Sequence, residues 1–151
     1  MKGESYKEQR QIYVDNGTIM LDEKNNIFTQ KELQNLEKLA DKLPFEHIEI
    51  GDADEPNFLE VGRLITDIDK PKIVNEEIST KVIEIVSSKE KMKFYEFLLN
   101  KSDLCIRRMQ YNVMGPNCFV GLHLDTDSNP DYIVAIVVQL GGNFVGGDYV
   151  V

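Results

Sequence analysis

The residues with the clearest potential for chemistry are His123 and Asp125, which are separated by one leucine in the segment His123-Leu124-Asp125. The surrounding sequence predicts a strand over 118–125, and side chains two positions apart in a strand point to the same face. An imidazole and a carboxylate are two of the three ligands in the two-histidine, one-carboxylate facial triad, which binds Fe(II) and leaves coordination positions open. The spacing therefore predicts part of a metal site that needs one more histidine.

Acidic residues also alternate along the segment after the histidine, from Asp125 to Asp131, as they do at the start of a calcium-binding loop. The EF-hand pattern requires glycine at its sixth position and glutamate at its twelfth. Pro130 and Ile136 stand at those positions. A polar turn broken by Asn129-Pro130 is therefore favoured, and a calcium-stabilised loop is kept as an alternative.

Further residues stand at characteristic spacing around the histidine and the aspartate. Tyr111 and Gly115 precede them, an apolar predicted strand over 132–140 follows, and Gly146-Gly147-Asp148 comes after that strand. Over 104–151 this pattern resembles the iron(II)/2-oxoglutarate-dependent dioxygenases of the prolyl 4-hydroxylase type.

The resemblance implies a fold, a set of cofactors and a role for several residues. The fold would be α+β, with a double-stranded β-helix (jelly roll) core and supporting N-terminal helices. His123 and Asp125 would be the proximal iron ligands, and Tyr111 would line the 2-oxoglutarate pocket. The turn Gly146-Gly147-Asp148 would be structural. Fe(II) and the cosubstrate 2-oxoglutarate are the implied cofactors, with ascorbate as a further candidate.

Two residues that the family uses have no counterpart in this sequence. The family's second histidine and the arginine or lysine that pairs with 2-oxoglutarate both follow the Gly-Gly turn, and the sequence ends at Val151. The other histidine, His47, precedes the motif and is predicted to be an exposed strand residue. We therefore expect a core truncated after the Gly-Gly-Asp turn, and a chain that is inactive by itself.

The rest of the sequence is predicted to form the scaffold of one domain, 1–151. Residues 1–103 are predicted to be mostly helical support with N-terminal strands, and 104–151 to form the first strands of the double-stranded β-helix. Short strands over 11–28 are indicated by alternating apolar residues and turn signals. Helices are predicted to begin after Thr29 (with Glu32 completing a capping box), after Asn75 and after Ser88, and a strand is predicted over 45–50.

The composition restricts the classes of partner. The formal net charge is −9, from 26 acidic and 17 basic residues among 151. Such a surface repels phosphate backbones and anionic lipid, so neither nucleic acid nor membrane is expected as a partner. No apolar run approaches the ~20 residues that cross a bilayer, and the N-terminus has no signal-peptide pattern. The chain is predicted to be cytoplasmic, with a small-molecule or peptidyl substrate and an oligomeric state that the sequence does not indicate.

Together, these observations predict an Fe(II)/2-oxoglutarate-dependent dioxygenase that hydroxylates a prolyl or other amino-acid side chain. The alternative is a non-enzymatic, jelly-roll-like binding module or a degenerate copy. In that alternative, His123 and Asp125 would be a hydrogen-bonded pair at a strand end.

Overall fold

The computed structural model describes residues 2–22, 25–142 and 145–147. The helices are α1 (Lys2–Asn16), α2 (Gln30–Ala40), α3 (Glu76–Val86), α4 (Lys89–Leu99) and the short α5 (Asp125–Ser128). The strands are β1 (Glu46–Ile50), β2 (Pro56–Asp67), β3 (Pro71–Ile73), β4 (Met109–Val113) and β5 (Phe119–Val120).

The long strand β2 is the centre of the sheet, and each of the other four strands pairs with it in the antiparallel sense. Val61 is opposite a residue of β1 on one side and of β4 on the other, so these two strands lie on opposite edges of β2. An antiparallel sheet with helices confirms the α+β prediction. The sequence analysis did not predict β2.

The helices and the sheet bury two apolar clusters. In the larger one, Leu36 of α2 and Val82 of α3 pack with Leu64 of β2. In the smaller one, α4 contributes Phe94, and the ring of Tyr6 from α1 lies 4.9 Å from it, centroid to centroid. The larger cluster attaches α2 and α3 to the sheet, and the smaller one attaches α1 to α4.

Helix starts were predicted more accurately than the N-terminal strands. The capping box at Thr29 and Glu32 is confirmed, as are the starts of α3 and α4 after Asn75 and Ser88. The predicted strands over 11–28 are wrong, because α1 continues to Asn16 and the described residues among 17–28 form no strand. Packing against α4 stabilises the helical conformation of α1. The residues predicted to form a turn instead end the helix: Gly17 has φ +72°, a left-handed conformation common after the last helical residue.

Two predicted strands downstream also differ from the structure. Only Phe119–Val120 of the strand predicted over 118–125 is paired. Residues 132–140 are assigned to no strand in the described part of the chain, and most of them are exposed rather than buried on both faces. The prediction of a strand buried on both faces is therefore wrong for 132–140. Only Val138 and Leu140 pack against the larger cluster.

We expect the exposed apolar segment 132–140 to drive self-association. Ile133, Val134, Ile136 and Val137 are between 39% and 66% exposed, and adjacent exposed β-branched residues favour edge-to-edge pairing. Ile136→Lys should lower the sedimentation coefficient and the binding of an apolar dye. Gln139→Lys adds the same charge to an exposed position without removing apolar surface, and equal effects of the two substitutions would contradict the expectation.

An ion pair links α4 to the start of α2. The Lys91 ammonium lies 2.6 Å from Glu32 Oε1 and 4.7 Å from the centre of the Phe28 ring, and Lys91 is only 4% exposed. Burial raises the pKa of the Glu32 carboxyl, but hydrogen bonds from Lys91 and Thr29 lower it by more, so the net shift is downward. The carboxylate is therefore the form that the folded chain favours.

We expect Glu32→Gln to lower the free energy of unfolding by about 2 kcal/mol at neutral pH. Breaking a buried pair costs ~3–5 kcal/mol, and the partial exposure of Glu32 reduces that figure. Because the folded-state pKa is depressed, the stabilisation is complete above the ordinary pKa of glutamate and is lost as pH falls through the folded value. In urea unfolding the gap from wild type should narrow in acid. Glu77→Gln, in the exposed pair with Lys81, should have a much smaller effect.

No helix in the described ranges combines the length and the apolar character that a membrane span requires.

Candidate metal site

The chain segment that carries His123 is fixed to the start of β2 at Gly121. The Gly121 N–H donates to the Pro56 carbonyl oxygen at 2.8 Å and to Asn57 Oδ1 at 3.1 Å. A Cβ at position 121 would lie 2.5 Å from the Pro56 carbonyl oxygen. Only glycine allows the two backbones to approach so closely, so Gly121 determines where the loop with His123 begins.

The orientation of the His123 ring is set by this same loop. Its Nδ1 lies 2.8 Å from the Gly121 carbonyl oxygen. A carbonyl only accepts, so Nδ1 carries the proton, and in the neutral ring Nε2 then has the free lone pair. Nε2 faces Asp125, with 3.6 Å between Nε2 and Asp125 Oδ1. Metal-binding histidines commonly have this arrangement, with one nitrogen donating to a fixed acceptor and the other available.

Asp125 reaches the histidine by a different route from the one predicted. It is the first residue of α5, preceded by Leu124 in an extended conformation, so strand alternation does not bring the two side chains together. At 3.6 Å the imidazole and carboxylate are too far apart for a hydrogen bond. They are close enough to share one divalent ion, whose bonds to nitrogen and oxygen are about 2.1 Å long. The spacing therefore leaves room for an ion between the two side chains, and their role as metal ligands stays a prediction.

Side chains after α5 hold the segment in place. Arg107 Nε donates to Asp67 Oδ2 at 2.8 Å, Asn129 Nδ2 donates to the same oxygen at 3.0 Å, and Arg107 Nη1 donates to Asp131 Oδ2 at 2.9 Å. The hydrogen bond from Arg107 holds the pKa of Asp67 below its ordinary value. Asn129 and Asp131 are thus engaged with Asp67 and Arg107, which favours the polar turn over a calcium loop.

A buried carboxylate that the sequence analysis did not single out lies beside the histidine. Glu55 Oε1 is 4.0 Å from His123 Nδ1, and the Glu55 side chain is 8% exposed. Burial raises the pKa of Glu55, but hydrogen bonds from Asn57 and from the backbone lower it by more, so the net shift is downward. The only sequence signal here was the acidic loop 51–56, which gave no reason to prefer one acid over another.

Tyr111 lies away from this group of residues. It is opposite Gly62 in the sheet, and its hydroxyl donates to the Leu36 carbonyl oxygen of α2 at 3.0 Å. Burial raises the pKa of Tyr111 to about 12. The structure therefore places the phenol on the helix side of the sheet, and its contact with 2-oxoglutarate stays a prediction.

His47 is not part of the site in the described chain. It lies on β1, its Nδ1 is 2.9 Å from Glu60 Oε1, and its ring packs edge-on against Phe58. The prediction of an exposed strand histidine is confirmed. Gly146 and Gly147 both have positive φ, as a turn requires, whereas Asp148 lies outside the described residues.

No protein-family model matches the chain, and no curated protein matches it in sequence. Among solved structures, the chain is similar to an oxidoreductase of the 2OG-Fe(II) oxygenase family from Burkholderia pseudomallei, with a TM-score of 0.73 and 26% sequence identity. The resemblance to the 2OG-Fe(II) oxygenase family is confirmed. The match covers 84% of this chain and 60% of that oxidoreductase, so the chain spans less than two thirds of the length of its 2OG-Fe(II) oxygenase neighbour.

The donor set at His123 and Asp125 fits what a 2OG-Fe(II) oxygenase requires of its iron ligands. One neutral imidazole nitrogen and one carboxylate oxygen suit ferrous iron. Among residues 2–22, 25–142 and 145–147, no group of three or more histidine, cysteine, aspartate or glutamate side chains is arranged to hold a metal ion. In the described chain, the two predicted ligands His123 and Asp125 therefore lie together, without a third side chain arranged to share an ion with them.

Proposed function

We propose that the chain belongs to an Fe(II)/2-oxoglutarate-dependent dioxygenase with a jelly-roll core, to whose iron site it contributes His123 and Asp125. The observation that carries this proposal is the geometry of the pair. In the described part of the chain, Nε2 of His123 makes no hydrogen bond and faces an exposed Asp125 carboxylate at 3.6 Å, while Nδ1 donates to a backbone carbonyl. The fold of the neighbouring oxidoreductase supports the same class of enzyme.

The residues of this chain would bind and orient the metal. His123 would supply a neutral nitrogen, and Asp125 would supply an anionic oxygen that offsets part of the charge of the ion. Iron with 2-oxoglutarate and O₂ supplies the oxidation of an unactivated C–H bond, with conversion of 2-oxoglutarate to succinate and CO₂. We propose a prolyl or other amino-acid side chain as the substrate class and ascorbate as an accessory reductant, both supported by the motif resemblance.

The incomplete ligand set has a consequence for the isolated chain. The sequence contains two histidines, and in the described chain His47 is engaged with Glu60, so no second histidine stands at the pair. Affinity for Fe(II) falls with ligand number. We therefore propose that the 151-residue chain binds metal weakly and forms no succinate by itself.

The test uses Mn²⁺, which has the ligand preferences needed and does not react with O₂ under assay conditions. Titration of the chain followed by electron paramagnetic resonance should show weak, saturable binding at one site, and 2-oxoglutarate should alter the spectrum of the bound ion. Ca²⁺ in excess should not displace Mn²⁺, since displacement would favour the calcium loop. A folded wild-type chain that binds no Mn²⁺ would favour the non-enzymatic binding module.

A further inference from the structure

The Glu55 carboxylate is buried beside a nitrogen of His123 that cannot bind the metal. Oε1 lies 4.0 Å from Nδ1, the nitrogen that also contacts the Gly121 carbonyl oxygen, whereas Asp125 faces Nε2 on the other side of the ring. Glu55 is therefore not placed to share an ion with Asp125. The negative charge of Glu55 lies on the side of the ring that carries the Nδ1 proton.

The carboxylate is held in this place by three features of the loop before β2. The Ala53 N–H donates to Oε2 at 3.0 Å, and Asn57 Nδ2 donates to Oε1 at 2.9 Å. The carboxylate also occupies the space beside Gly51 where a side chain would be, because a Cβ on that residue would lie 1.7 Å from Oε1. A carboxylate fixed on several sides loses little further entropy when it orients a neighbour.

Asn57 connects this carboxylate to the loop that carries the histidine. Its side chain is buried, and its two polar atoms have different partners: Nδ2 donates to Glu55, and Oδ1 accepts the Gly121 N–H at 3.1 Å. The same amide thus fixes the Glu55 carboxylate and the backbone that orients the imidazole. Glu55, Asn57 and Gly121 form one connected support behind His123.

We propose that Glu55, held by Asn57, is a positioning residue that keeps His123 in the Nδ1–H tautomer with Nε2 directed at the metal. A carboxylate near the proton-bearing nitrogen of a metal-binding histidine stabilises that tautomer and makes the other nitrogen a stronger donor. The role of Glu55 towards the metal rests on the proposed function, but its effect on the tautomer does not.

The first test measures Mn²⁺ affinity in Glu55→Gln, which keeps the size of the side chain and removes its charge. We expect the dissociation constant to rise about tenfold, as is usual when such a supporting group is changed. The matched control is Glu60→Gln, because the Glu60 carboxylate lies beside Nδ1 of the other histidine, His47, and its loss should leave Mn²⁺ affinity unchanged. Equal affinity in wild type and Glu55→Gln, with both folded by circular dichroism, would overturn the proposal.

The second test reads the tautomer of His123 in the metal-free chain from its two ring ¹⁵N shifts at alkaline pH. Wild type should show the Nδ1–H form, and Glu55→Gln should show a mixture with more Nε2–H. If Glu55→Gln does not fold, Asn57→Ala, which releases the carboxylate, replaces it in both tests. If the tautomer of His123 is unchanged in the variant, the proposal is overturned. If wild type binds no Mn²⁺ but its tautomer depends on Glu55, only the proposed function is overturned.

Discussion

We expect His123→Ala to weaken Mn²⁺ binding by more than about 100-fold, since removing a ligand exceeds the ~10–100-fold cost of changing a supporting residue. The imidazole Nε2 is the nitrogen that faces the Asp125 carboxylate. Asp125→Ala should have a similar effect, because it removes the carboxylate that faces Nε2 of His123. The measurement is Mn²⁺ titration by electron paramagnetic resonance, with circular dichroism to show that each variant is folded.

Two substitutions serve as matched controls for these losses. His47→Ala removes the imidazole on β1, which is paired with Glu60 of β2. Asp127→Ala removes an exposed carboxylate from α5, the helix that begins at Asp125. Both should bind Mn²⁺ as wild type does. If His47→Ala lost binding while His123→Ala retained it, the ligand assignment would be wrong.

The second large effect is expected at Gly121. Gly121→Ala would bring a Cβ to 2.5 Å from the Pro56 carbonyl oxygen and 2.9 Å from Pro56 Cδ. Neither atom belongs to a flexible side chain, so the backbone must move, and we expect a loss of about 2–3 kcal/mol in the free energy of unfolding. The same movement should break the hydrogen bond to Asn57 and weaken Mn²⁺ binding, as measured by urea unfolding and metal titration on one sample.

Gly142→Ala is the control for this substitution, because nothing lies within 4 Å of a Cβ at that position. Its stability should be within about 0.5 kcal/mol of wild type, which is usual for exposed sites. A Gly121→Ala variant as stable as Gly142→Ala would mean that the loop with His123 is not fixed to β2 as described.

The parts of the fold that follow from short-range signals could be predicted from the sequence. The capping box at Thr29 and Glu32 is contained in four consecutive residues, and the structure has it. β2 was missed because its apolar period is interrupted: the register shifts between Arg63 and Ile65, and a bulge moves later side chains to the other face. α1 was missed because its apolar residues are few, and contact with α4 decides its conformation.

At the candidate site, too, contacts between residues distant in the sequence could not be predicted. The sequence predicted that His123 and Asp125 would lie together, and they do, although the start of α5 rather than a strand places the Asp125 carboxylate near the imidazole. Glu55 and Asn57 could not be found from the sequence, because they meet the histidine loop only through long-range contacts, such as the hydrogen bond of Asn57 to Gly121, 64 positions away. The face of β4 on which Tyr111 lies depends on the register with β2, which no local pattern determines.

The position of β2 has a consequence for how the molecule opens. Each of the other described strands pairs with β2. If β2 unfolds, all of these strands therefore lose the inter-strand hydrogen bonds that they make with it. The chain that follows β5 is attached to the same strand, because the Gly121 N–H donates to Pro56 and Asn57. The sheet and the histidine loop should therefore behave as one cooperative unit, in which backbone amides exchange with solvent together rather than strand by strand.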